Sequence, residues 1–238
     1  MVAGILCSLC CFIFLTLDHY FLNNPCAVVS FNIALLCKML ASACFVIYGL
    51  LCFSKCKDKN KGFKKVSSLM LSGLFLGFAA DLLLEINFYA GFVVFVTAHI
   101  FYFLGFSVYS KMDKVKWAIV IGFVAVFATV DYVVPWFNFQ GLFPVVVIYS
   151  AVWAFVFAKS VESLKFKSVN AKIVVAGIVL FGISDILLQF KFFPAEGFSP
   201  AAGAVIFAVS NAVYYVAQLL IGYSLSKNFI DYSSPFQQ

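Results

Sequence analysis

Two aspartates stand where acids are rare. Asp81 lies inside GLFLGFAADLLLEINF and Asp185 inside GIVLFGISDILLQFKF, both long apolar stretches. A charged side chain near the middle of a membrane helix costs roughly 2.5 to 3.5 kcal/mol on insertion scales, so the bundle interior must use what it keeps there. Two carboxylates in matched settings imply one shared site. Together with a histidine, a lysine, and several amides and phenols they suit general acid and base work on an amphiphile. One aspartate acts as a protonated donor while Lys38 or His99 keeps the other ionised.

The elements that position these acids follow from composition. Hydrophobic residues make up 64% of the 238 and charged residues 11%, too little polar surface for a soluble globule of this size. Eight apolar runs can be drawn, at 2 to 17, 28 to 53, 67 to 86, 91 to 110, 116 to 134, 141 to 158, 171 to 190 and 202 to 225. Each approaches the roughly 20 residues that a helical span requires. The runs do not alternate apolar with polar residues as membrane strands do. The expected fold class is all-α, a polytopic bundle of eight transmembrane helices forming one integral membrane domain over 1–238.

Lysine placement predicts orientation. Lys55, Lys57, Lys59, Lys61, Lys64 and Lys65 follow the second run, Lys111, Lys114 and Lys116 the fourth, and Lys159, Lys165, Lys167 and Lys172 the sixth. The alternate connections hold Asp18, His19, Glu85, Asn87, Asp131 and Glu196, with Lys191 as the one exception. The positive-inside rule then puts both termini in the cytoplasm of a multi-pass protein, in the cell membrane if the source is bacterial. Topology and lipid headgroups account for the net charge of +6, and no nucleic-acid partner is called for. The first run lacks a basic n-region and a small-residue cleavage site, and reads as a retained helix. All eight cysteines lie between Cys7 and Cys56, mostly inside expected helices, where they read as small apolar filler. With only His19 and His99, a three-histidine zinc site cannot be built, and no metal or other cofactor is expected.

The two aspartate segments superpose without a gap, matching Gly73 to Gly177, Asp81 to Asp185, Glu85 to Gln189 and Phe88 to Phe192. Further on, AHIFYFLGF aligns with SNAVYYVAQ, setting His99 opposite Asn211 and Tyr102 opposite Tyr214. The pattern is that of a duplicated four-helix unit, with halves at about 1–110 and 115–228. Four being even, the copies run in the same sense, as parallel repeats about an axis along the membrane normal. Glu85 falls one turn from Asp81 on the same helix face, and His99 at a depth within reach of Asp81. Asn211, Tyr214, Tyr215 and Gln218 of the last span, with Lys38 and Asn32 of the second, would complete a polar pocket open to the non-cytoplasmic side. No Gly-rich phosphate loop, nucleophile elbow or HExxH helix occurs, and the connections are too short to house a soluble catalytic domain.

Four segments resemble the transmembrane lysoplasmalogenases, also called YhhN-like proteins: FAADLLLE, FVVFVTAHIFYFLGF, LFGISDILL and YYVAQLLIGYSL. CKML around Lys38 is similar to the family's Lys-Pro-Leu, with Met39 in place of Pro, and Ala80 replaces the Gly that precedes the first acid. The resemblance implies an eight-helix hydrolase that cleaves the vinyl ether of a lysophospholipid drawn from the bilayer, releasing a fatty aldehyde and a glycerophospho-alcohol. Asp81 and Asp185 would be its catalytic pair. Lys38, Glu85, His99, Tyr102, Asn211, Tyr214, Tyr215, Gln218 and Asn32 would contact substrate or orient the acids. Competing classes are a small-molecule or lipid transporter, for which midplane acids are equally natural, and a noncatalytic lipid-binding membrane protein. A transporter should show Gly or Pro breaks in matching spans, whereas Pro135 and Pro144 fall near helix ends.

Overall fold

The computed structural model describes residues 28–57, 59–133, 137–139 and 141–230, with side chains from Leu35 onward except Pro200. The expected first span, 2 to 17, and the side chain of Asn32 fall outside the described residues. Among the described residues seven helices are long and apolar enough to cross a membrane, and the chain is a multi-pass, all-helical membrane protein. In chain order they are α1 (Val28–Lys55), α2 (Lys61–Ile86), α3 (Phe88–Ser107), α4 (Lys114–Val133), α5 (Phe143–Ser160), α6 (Val169–Phe192) and α7 (Pro200–Ser224). A short 3-10 segment, Val161–Phe166, follows α5.

Polar residues set the helix ends. Asn60 accepts from the Phe63 backbone N–H at 2.7 Å, which starts α2 six residues ahead of its apolar run. A single residue joins α2 to α3: Asn87 donates its backbone N–H to Leu83 and accepts from the Ala90 N–H on its side chain. Ser168 and Ser199 cap α6 and α7 in the same manner, and Pro occupies the first turn of α5 and of α7. These are the donors and ring constraints that helix N-termini favour, since their first N–H groups lack partners.

Helices α2 and α3 form one close hairpin and α6 and α7 another. Helix α1 packs against α2 and α7, whereas α5 packs against α6 and α3, so each hairpin is flanked by a helix that also reaches the other hairpin. Helix α4 lies at the periphery, mainly on α5. The core between the hairpins is aromatic, with Phe45, Tyr102, Phe106 and Phe181 fully buried. An extended bridge from Phe137 to Pro194 ties the α4–α5 connection to the α6–α7 connection. Because the helices alternate in direction, the lysine-rich connections share one end of the bundle and the C-terminal ends of α2 and α6 share the other. Both aspartates lie toward that second end.

Candidate functional site

Helices α1 and α2 run antiparallel, and residues one turn apart on each meet as two rungs. Lys38 Nζ donates to Glu85 Oε1 at 2.5 Å, and Ser42 Oγ donates to Asp81 Oδ2 at 2.6 Å. The i, i+4 spacing of 38 and 42 matches that of 81 and 85, which is why the two pairs stack on one interface. Helix α7 closes the arrangement: the Tyr214 hydroxyl donates to the same Asp81 oxygen at 3.1 Å, and the Tyr215 hydroxyl lies 3.4 Å from Ser42 Oγ. Asp81 is 3% exposed. Glu85 also meets a second cation from α6, with Lys191 Nζ 3.6 Å from its Oε1.

Asp185 is built differently. The Tyr149 hydroxyl of α5 donates to Asp185 Oδ2 at 2.7 Å, and His99 Nε2 of α3 lies 3.9 Å from that oxygen and 3.5 Å from the Tyr149 hydroxyl. His99 is fully buried, packed on the rings of Phe181, Tyr149 and Phe95. Its Nδ1 is 3.0 Å from the Phe95 carbonyl oxygen. A carbonyl can only accept, so Nδ1 carries the hydrogen and donates. The histidine expected within reach of Asp81 thus makes its carboxylate contact with Asp185.

Two chambers meet at this acid. One, of about 600 Å³ including its mouth, is lined by Phe88, Phe92, Leu142, Val145, Val146, Tyr149, Gln189 and Phe193. The other, of about 390 Å³ including its mouth, is lined by Lys38, Asp81, Glu85, Lys191, Ser184, Ser210, Asn211, Phe207 and Tyr214. Leu84, Phe95, Asp185, Leu188 and Phe192 line both. A predominantly apolar compartment thus adjoins one that holds two lysines and three carboxyl groups.

The expected site residues divide into layers. Lys38, Asp81, Glu85, Asp185, Asn211 and Tyr214 line the polar chamber, with the Asn211 amide donating to the Phe207 carbonyl. Tyr102 and Gln218 sit beneath it, fully buried, joined by a 2.9 Å bond from the phenol to Gln218 Oε1. Tyr215 props the α1 backbone, its hydroxyl 3.5 Å from the Lys38 carbonyl. Three residues that contact the acids lie outside the expected site: Ser42, Tyr149 and Lys191. Ser42 is legible one turn after Lys38. Lys191 stood out as the exception to the charge pattern, and its contact with Glu85 explains its place at the opposite end from the other lysines. Tyr149 sits in a uniformly apolar run with no local signal.

A model of the YhhN family matches residues 33–225, a stretch that takes in both aspartates and every side chain that contacts them. The chain belongs to the YhhN family. No curated protein and no solved structure matches it. Within this YhhN family protein the matched region begins just after Asn32 and ends at the close of α7, so it covers all seven described spans apart from the first residues of α1.

Proposed function

We propose that this YhhN family protein is a membrane hydrolase that cleaves the vinyl-ether bond of lysoplasmalogens carrying choline or ethanolamine headgroups. The observation that carries the reading is Asp185 at the junction of an apolar chamber and a charged one, with Asp81 across the charged one. The alkenyl chain lies in the apolar chamber, the phosphate faces Lys38 and Lys191, and the reacting double bond lies beside Asp185. Asp185 protonates the carbon beta to the ether oxygen, which leaves an oxocarbenium ion. Asp81, held by Ser42 and Tyr214, takes a proton as water adds to the cationic carbon. On collapse of the hemiacetal, Asp81 returns that proton to the departing glycerol oxygen and Asp185 takes the hydroxyl proton. Aldehyde and glycerophospho-alcohol leave, and both acids are restored.

The described spans support catalysis over transport, since each runs as an unbroken helix and transporter sites are typically built from interrupted ones. The proposal includes a single membrane domain, both termini cytoplasmic, and a site opening on the opposite face. Purified protein in detergent, given a lysoplasmalogen, should release fatty aldehyde with or without a chelator. Asp81→Asn and Asp185→Asn should each lower kcat by about 10²- to 10⁴-fold, the range for a lost general acid or base. Absence of aldehyde from folded wild-type protein overturns the reading.

A further inference from the structure

The three polar groups around Asp185 have an unequal balance of hydrogens and lone pairs. The Tyr149 hydroxyl has one hydrogen, and it points at Asp185 Oδ2. His99 spends its Nδ1 hydrogen on the Phe95 carbonyl, so in the neutral ring Nε2 presents a lone pair. That lone pair faces the Tyr149 oxygen at 3.5 Å and the carboxyl oxygen at 3.9 Å. With Asp185 ionised and His99 neutral, Nε2 and Oδ2 confront each other as acceptors with only the phenol hydrogen between them. One further proton in the trio relieves this. Placing it on the imidazole creates a separated charge pair in an apolar surround, which costs desolvation at both ends. Placing it on the carboxyl keeps the group neutral.

We infer that Asp185, Tyr149 and His99 form one proton-holding unit, in which Tyr149 and His99 act as positioning residues that keep a proton on the Asp185 carboxyl where it lines both chambers. The inference rests on the proposed hydrolase reading only for what the proton is used for. The geometry favours the second acid over the first for this role. Asp81 is bonded by two hydroxyl donors on one oxygen, from Ser42 and Tyr214, with Lys38 and Glu85 one turn away on the same two helices. The groups in contact with the Asp185 carboxyl are a phenol and an imidazole, and the charged groups facing it across the polar chamber are Lys38, Asp81, Glu85 and Lys191.

Infrared difference spectroscopy in light and heavy water, combined with steady-state kinetics, tests this. The wild type should show a carboxylic C=O stretch that disappears in Asp185→Asn, survives in Asp81→Asn, and shifts in both Tyr149→Phe and His99→Gln. Tyr149→Phe, which removes one oxygen and keeps the ring, should lower kcat about 10- to 100-fold with KM within about twofold, part of the range for general acid catalysis, and should enlarge the solvent isotope effect. A band that is absent from the wild type, or one unmoved by Tyr149→Phe with kcat unchanged, overturns the unit. The band can be read in protein that forms no aldehyde, so failure of the vinyl-ether reading is distinguishable from failure of the unit.

Discussion

The two halves of the bundle arm their aspartates from corresponding directions with different chemistry. In the first half the acid of α2 takes a hydroxyl from the flanking helix α1, Ser42, and a group from the last helix, Tyr214 of α7. In the second half the acid of α6 takes a hydroxyl from its own flanking helix α5, Tyr149, and faces a group from α3, His99. Exchanging the halves exchanges α1 with α5 and α3 with α7, and the contacts follow that exchange. The charges do not. Glu85, Lys38 and Lys191 crowd the first acid's end of the chamber, while the matching position to Glu85 is Gln189 and an apolar chamber opens beside the second acid. A common architecture can therefore hold two carboxylates in different settings, one among ions and one against hydrocarbon.

The sharpest break in this likeness is at the hairpin turns. Gly91 and Gly203 each lie four residues after the cap that begins the second helix of a hairpin, Asn87 and Ser199. A Cβ on Gly91 would sit 2.4 Å from the Leu84 backbone nitrogen, because a single residue turns α2 into α3 and the helices meet at once. A Cβ on Gly203 would meet only the Phe198 ring at 3.4 Å, because a longer connection leaves room. Gly91→Ala should destabilise the protein by about 1 to 3 kcal/mol or more, since backbone cannot step aside. Gly203→Ala should be neutral or stabilising by up to about 1 kcal/mol through helix propensity. Thermal unfolding of the two variants in detergent checks the contrast, and equal shifts would break it.

How much of this was open to sequence reading depends on whether the signal is local. Span number and limits from α1 to α7 followed from hydropathy, because a bilayer demands about 20 apolar residues regardless of what packs where. The outlying start of α2 did not, since Asn60 extends the helix through lysines that hydropathy reads as loop. The i, i+4 relation of Asp81 and Glu85 is a property of one helix and was legible. Which partner each acid meets is a property of helix packing. His99 was placed by depth within reach of Asp81, and it meets Asp185 instead, beside Tyr149 of α5, the helix that packs on both α3 and α6. Tyr149 carried no mark in FPVVVIYSAVWAF, since an aromatic in a membrane run is indistinguishable from packing until its hydroxyl is seen to meet an acid.

The charged end of the comparison can be tested without touching either aspartate. Glu85 holds Lys38 directly and Lys191 more loosely, and a hydrogen bond to a charged group contributes about 1.5 to 3 kcal/mol. Glu85→Gln keeps the shape and releases both lysines, so their positions over the chamber should relax. In aldehyde-release kinetics on lysoplasmalogen the expected outcome is KM raised about tenfold or more, with kcat changed by less than about threefold. The matching substitution in the other half, Gln189→Glu, should not reproduce this, because the Gln189 side-chain oxygen is buried without a hydrogen-bond partner among the described residues and the chamber it lines is mainly apolar. A fall in kcat with unchanged KM in Glu85→Gln would mean that the first acid depends on its ionic neighbours for chemistry, and the division between the two settings would be lost.

The smallest expected effect compares the two hydroxyls supplied by the flanking helices. Ser42 is one of two donors on Asp81 Oδ2, the other being the Tyr214 hydroxyl at 3.1 Å. Tyr149 is the donor on Asp185 that also bridges to His99. Losing Ser42 should therefore cost about 0.5 to 1.5 kcal/mol, below the roughly 1.5 to 3 kcal/mol of a sole hydrogen bond to a charged group, because the carboxylate keeps Tyr214 as a donor. In rate that is about a two- to tenfold decrease for Ser42→Ala, less than for Tyr149→Phe. Were Ser42→Ala to cost as much as Tyr149→Phe in kcat, the serine would be acting on the water that Asp81 is proposed to activate. The first acid would then need its own donor relay as the second does, and the two halves would be alike in mechanism as well as in packing.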